Sequence, residues 1–302
     1  MRFFTKRNFL ALSMIALALI IGRAAAHYFA NTAPFQAELI EGFESGPLGK
    51  IDPRFHLETC CEYSAKIVPS PQGTGNSVRF SLASDDPNIK GSKRSELRLP
   101  AGRFETETWY RLRTYFPQEW TDVQLPVTVF QWHGVPDKIL FEGNRPPPLR
   151  LLYLQGQWHI PLNWDQAFLS FRKSTFLGKR QGQLLWSGPA ELGKWDDWVF
   201  KVVWSHGDTG RVVIWKNGTR IANYKGPTAY NDLVAPYLKA GIYLPVWAKG
   251  QAPEERETMV AYFDDIWEVY PDTGNGALSK EVTEFFGQYS NDDTVVLNLE
   301  KP

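Results

Sequence analysis

The feature that most limits what this chain can become is a succession of aromatic and β-branched runs. They read SVRFSLA, ETWYRLRTYF, VTVFQWHG, LRLLYLQGQWHI, WVFKVVWS, GRVVIWKNGTRIANY, YLKAGIYLPVW and MVAYFDDIWEVY. Many alternate apolar with polar residues, and Gly, Pro and Asp separate them, which is the pattern of half-buried strands. Asn217-Gly218 joins VVIWK to TRIANY as a tight hairpin. No βαβ rhythm and no repeat period interrupts the series. Helix is scarce, SKEVTEFFGQY near the C-terminus being the best candidate. The expectation is an all-β chain in which two large antiparallel sheets pack face to face as a β-sandwich or jelly roll, one sheet curved around a groove. One domain spans about residues 35–270, and 271–302 reads as a peripheral tail. With 302 residues the chain can bury a sizeable core.

Residues 1–26 read as an export leader of bacterial type: a basic start, MRFFTKRN, then the apolar FLALSMIALALIIG, then Ala24-Ala25-Ala26 as cleavage signal. The apolar run is short of the roughly 20 residues a spanning helix needs, which favours cleavage over an uncleaved anchor. The expected location is the periplasm or the exterior. The leader's four cations, Arg2, Lys6, Arg7 and Arg23, face no acid there. Of 33 basic residues 29 therefore remain, against 33 acidic ones. A slightly acidic folded part argues against a nucleic-acid partner, and an anionic ligand must be met by a local cluster. Nothing implies a protein partner, and a monomer is expected. The two cysteines, Cys60 and Cys61, are adjacent, so they cannot staple distant segments and read as structural rather than metal-binding.

Three runs share a pattern with chemical content. In a strand, alternate side chains share a face. YLKAGIY thus sets Leu238, Ala240 and Ile242 on one side and Tyr237, Lys239, Gly241 and Tyr243 on the other. KRSELR sets Arg94, Glu96 and Arg98 together, and FQWHG sets Gln131 and His133 together. Singly, each is an ordinary solvent-facing strand: a surface ion-pair ladder, a satisfied histidine, strand-forming tyrosines. Jointly, these residue types suit holding a carboxylate and moving a proton.

RSELR, Q-x-H and Y-x-KAG-x-Y, in that order, resemble the three signature stretches of the alginate lyases of polysaccharide lyase family seven. That concanavalin-like jelly-roll scaffold is shared with glucuronan lyases and heparin lyase I. GKWDDWVFKVVWS, GRVVIWKNG and YFDDIWEVY resemble bacterial members of the wider group. Two departures, Leu244-Pro245 where Asn-Gln is usual and Trp132 where Ile or Val is usual, lean toward the glucuronan-lyase side.

The resemblance implies β-elimination on a uronic-acid polysaccharide: the C5 proton leaves, the C4 oxygen is expelled and an unsaturated uronate end remains. It implies that Arg94, Gln131 and His133 stabilise charge on the carboxyl group, and that Tyr243 transfers the proton. Glu96, Arg98, Tyr237 and Lys239 would bind substrate, Lys239 contacting a neighbouring sugar carboxylate. A free phenol titrates near pH 10, so a tyrosine base needs a cation nearby. Lys239 lies roughly 13 Å from Tyr243 along an extended strand, which makes Arg94 or Arg98 the closer helper. Where the C5 proton and C4 oxygen lie on one side, as in mannuronate or glucuronate, one tyrosine can serve as base and acid. In guluronate they lie on opposite sides, and His133 is the natural base.

A non-catalytic lectin or laminin-G sandwich explains the fold and the aromatics equally well, but not the ordered Arg, Gln, His and Tyr set. A glycoside hydrolase needs a close carboxylate pair, which no strand here presents. No cofactor and no catalytic metal are expected. Asp85-Asp86, Asp196-Asp197 and Asp264-Asp265 offer oxygens for at most a structural calcium.

Overall fold

In the computed structural model, the structure describes residues 36–45, 52–170, 181–271 and 278–290, with isolated positions between 14 and 25. Most of the leader read from residues 1–26, and the last part of the tail, lie outside the described residues. Among the described residues no helix is long and apolar enough to cross a membrane.

Among the described residues, fifteen strands form two antiparallel sheets. One has seven strands in the order β10 (Gln181–Pro189), β9 (Gln157–Trp164), β8 (Leu149–Leu154), β7 (Val127–Val135), β14 (Val234–Tyr243), β5 (Arg94–Ala101) and β2 (His56–Glu58). The other runs β13 (Thr219–Lys225), β12 (Arg211–Lys216), β11 (Trp195–Val203), β6 (Glu107–Tyr115), β15 (Thr258–Val269), β4 (Asn76–Ala83) and β3 (Ala65–Pro69). Strand β1 (Glu38–Glu41) pairs with the end of β15 that β4 leaves open. Sequence and structure therefore agree on an all-β sandwich. Asn217 and Gly218 take φ of 50° and 77°, the left-handed pair that a two-residue hairpin requires.

The core lies between the sheets. Leu238, Ala240 and Ile242 of β14 enter it with Leu97, Leu99, Phe130 and Trp132, against Tyr110, Trp198, Phe200 and Val202 of the other sheet. Trp132 packs 4.7 Å from Phe200 and 5.1 Å from Tyr110, ring centre to ring centre, so its departure from the family pattern is a core matter. Losing such a ring costs roughly 3–5 kcal/mol.

A second apolar cluster covers the far face of the larger sheet. Trp109, Trp215 and Trp267 meet Val282, Phe286 and Tyr289 of helix α1 (Lys280–Ser290). Spacing of four and three residues puts those side chains on one helical stripe. Ser279 starts the helix, its hydroxyl accepting from the Val282 amide. The segment read as a peripheral tail thus carries a helix that seals one face of the sandwich. Every tryptophan except Trp195 belongs to or packs against these two clusters, which leaves tyrosines among the aromatics of the groove face.

Candidate active site

Strands β7, β14 and β5 are consecutive neighbours, so the three chemistry-bearing runs share one face of the seven-stranded sheet. Tyr237 stands opposite His133, and Lys239 stands between Gln131 and Arg98. Gly241 stands opposite Glu96 and Tyr243 opposite Arg94. The flanking strands add residues that sequence reading missed: β2 brings Glu58 beside Glu96, and β8 brings Arg150 beside Gln131.

The floor of this face is a buried ionic cluster. Lys239 is 1% exposed; it binds Glu58 at 2.7 Å and also Glu96. Glu96 is 2% exposed and accepts from Gln131 Nε2 at 2.7 Å and from Arg94 at 3.3 Å. Arg94 gives the same Nη1 to Glu58 at 3.2 Å. Burial alone would push the Glu58 carboxyl up, but the ammonium groups of Lys239 and Lys90 bring it down to about 2. Lys239 and Glu96, expected to contact sugar, are instead seen here at 1% and 2% exposure with protein partners. Both side chains are satisfied beneath the surface and hold the floor in shape, because neither charge could be buried alone.

Gly241 makes this packing feasible. Its φ is +141°, and a Cβ there would lie 2.2 Å from the Ser95 carbonyl oxygen and 2.7 Å from the Glu96 Cα. Glu96 and Gln131, two strands apart, can then reach each other across β14 with no side chain from Gly241 between them.

Above the floor is a groove of about 380 Å³ whose lining includes Arg94, His133, Tyr237, Tyr243, Asn144 and Pro245. Arg94, one of the two arginines the sequence offered as helper, sits over the Tyr243 ring, 4.8 Å from its centre. His133 stacks on Tyr237 at 5.3 Å. Its Nδ1 faces the Gly134 carbonyl at 2.7 Å. A carbonyl can only accept, so in the neutral ring the proton sits on Nδ1 and Nε2 keeps its lone pair. Burial lowers the His133 pKa, against the raising effect of that carbonyl, and so favours the neutral ring. Burial also raises the Tyr237 phenol, with Glu58 adding to it, so Tyr237 stays protonated. Arg98 lies over Tyr237 at 5.4 Å and opens onto an adjoining hollow of about 620 Å³ with His56 and Arg54. Buried Arg145, bound to Glu142 at 2.9 Å and to Asp232, stiffens the wall beside Asn144.

The acidic pairs lie elsewhere; apart from Asp86, whose carboxylate accepts from the Tyr63 hydroxyl and the Ala83 amide, they face cations. Asp85 meets Arg256 at 2.9 Å, Asp196 meets Lys216 at 2.7 Å, Asp197 meets Arg111 at 2.9 Å, and Asp264 meets Arg113 at 3.1 Å. Cys60 and Cys61 are disulfide-bonded to each other.

A sequence model of the polysaccharide lyase family matches residues 43–267, the whole of this site included. The chain belongs to the polysaccharide lyases. The lyase superposes on an endo-β-1,4-glucuronan lyase from the fungus Trichoderma reesei with TM-score 0.60 at 14% identity, over 78% of this chain and 98% of that one. At that identity the likeness is one of fold. It also matches the catalytic domain of a glycoside hydrolase family 131 protein from Coprinopsis cinerea, with TM-score 0.47 at 10% identity, over 81% and 93% of the two chains. No curated protein matches the lyase.

Proposed function

We propose that this lyase cleaves a 1,4-linked uronan by β-elimination, with a glucuronate-type polymer as substrate. The observation that carries the reading is the juxtaposition on one groove of Tyr243 under the Arg94 guanidinium with neutral His133. Tyr243 takes the C5 proton; the C4–O bond breaks with its electron pair going to the leaving oxygen, and a C4–C5 double bond forms. For a polymer with both groups on one side, Tyr243 then returns the proton to that oxygen. Arg94 stays over the ring between the two transfers, and charge on the carboxyl group is met by preorganised donors. The glucuronan activity of the structural neighbour and the sequence departure at Pro245, which reaches the groove rim, lean the same way.

The Nε2 lone pair of His133 favours one second reading, elimination on guluronate with His133 as base and Tyr243 as acid. Secretion and a monomeric state remain part of the proposal, from the leader and the absence of an implied partner.

The test is ultraviolet absorbance of unsaturated product from purified residues 27–302 on glucuronan, polymannuronate, polyguluronate and heparin. A rise on glucuronan supports the main reading, and a rise on polyguluronate alone supports the second. A flat trace on all four, with polymer still bound, would return the chain to the binding-module reading.

A further inference from the structure

The ionic floor raises a question about charge. An anionic sugar needs a cation whose valence is not already met, yet Lys239 and Arg94 are both held by Glu58 and Glu96. Two carboxylates against two such cations leave the floor near neutrality, with exposed Lys90 at its edge.

Arg150 differs. On β8 its neighbours Leu149 and Leu151 are core residues, so its own side chain projects to the groove face. It pairs in register with Gln131, which puts Arg150, Gln131, Lys239 and Arg98 in one row across four strands. Among the described residues no carboxylate bridges to Arg150, and its Nε is buried with no hydrogen-bond partner. The groups that act on its charge are the phenols of Tyr243 and Tyr230, while burial presses its pKa down. A partly buried guanidinium with phenols in place of a counter-ion is an unfavourable arrangement that an incoming carboxylate would complete.

We propose that Arg150 binds the carboxylate of the sugar undergoing elimination and thereby makes the enzyme select a free uronate over its ester. The assignment rests on the uronan-lyase reading above and adds to it a residue and a specificity. As Tyr243 removes the C5 proton, the electron pair of the C5–H bond moves toward the carboxyl group. Arg150 stabilises the resulting enediolate until the C4–O bond breaks. Its planar fork suits two carboxylate oxygens, which a methyl ester cannot offer with the same charge.

The experiment measures calorimetric affinity for unesterified and methyl-esterified oligouronates, and kcat/KM on the free polymer. It uses wild type, Arg150→Gln and Arg150→Lys, with melting temperatures as the check on folding. Wild type is expected to bind the free acid at least about tenfold more tightly than the ester, as one charge-assisted pair allows. Arg150→Gln should erase that difference while leaving ester affinity within about twofold, and lower kcat/KM about 10²- to 10³-fold. Arg150→Lys should restore part of both. An unchanged acid-to-ester ratio in Arg150→Gln overturns the assignment, whatever happens to the rate. If wild type forms no unsaturated product from any uronan, the lyase reading itself fails and the assignment falls with it. An active wild type with an unaltered ratio in the variant sinks Arg150 alone.

Discussion

The guanidinium of Arg94 lies 4.8 Å from the centre of the Tyr243 ring while its Nη1 reaches Glu58 at 3.2 Å and Glu96 at 3.3 Å. One cation thus ties the buried floor to the phenol at its surface. The carboxylates fix where the guanidinium points, and so where it stands over the tyrosine ring. Arg94→Gln should therefore lower kcat by about 10²- to 10³-fold with a modest change in KM, read from initial rates of unsaturated product. A rise in KM alone would recast Arg94 as a simple substrate contact.

Lys239 is the second hinge of the floor, and its effect should be on folding. Lys239→Met leaves Glu58 and Glu96 buried with Arg94 and Lys90 as their remaining cations and Gln131 as a neutral donor. Breaking such a cluster costs about 3–5 kcal/mol, or a melting temperature lower by roughly 10 °C in a domain of this size. The pH profile sharpens the test. Glu58 titrates at about 2 in the fold against 4.5 for a free side chain, so its contribution is whole above 4.5 and is lost as pH falls toward 2. In the variant the folded value moves back toward 4.5, so that acid-side loss should shrink. An unchanged melt with weaker polymer binding would favour the sugar-contact role instead.

Gly241→Ala asks whether the floor can tolerate one methyl group. The added carbon would meet strand β5 backbone at 2.2 Å and hold a φ of +141° that suits glycine alone. Since the obstacle is backbone, relief requires β14 and β5 to part. The expected result is insoluble protein, or a strongly lowered melt with activity lost. A soluble, fully active variant would contradict the geometry.

His133 gives the profile its acid side if it acts as base. Burial lowers its pKa below the free imidazole value of 6.5, so the neutral ring persists below that pH and the acid limb of kcat/KM should fall under 6.5. Folding follows the same sign: the unfolded chain takes up the proton first, so stability declines as pH drops through that window. His133→Asn should remove the limb on polyguluronate and leave a glucuronan profile governed by other groups. A limb above pH 6.5 would speak against the buried neutral ring.

How much of this was legible in the sequence varies by physical cause. Alternation in YLKAGIY, RSELR and FQWHG marked which side chains share a face, because the period of a strand is local. That β7, β14 and β5 are neighbours depends on long-range pairing, and here the ordered resemblance did what patterning could not. Burial of Lys239 and Glu96 was not legible: it depends on Glu58, whose three-residue strand is too short to show an alternation. Arg150 did leave a signal, a lone cation alternating with core leucines in LRLLYL. Leu152 and Leu154 on its own face disguised it as part of an apolar run. Trp132 and Leu244, noted as departures, are both buried, whereas Pro245 reaches the groove rim.

The central claim is that Tyr243 moves the proton in a β-elimination. The most direct measurement compares wild type with Tyr243→Phe on the preferred uronan, following absorbance of the unsaturated end and polymer affinity together. The phenyl ring keeps its place under Arg94, so binding and melting temperature should hold within about twofold and a few degrees while product formation falls at least 10³-fold. Unsaturated product appearing at a rate near wild type would contradict the account and pass the proton to His133.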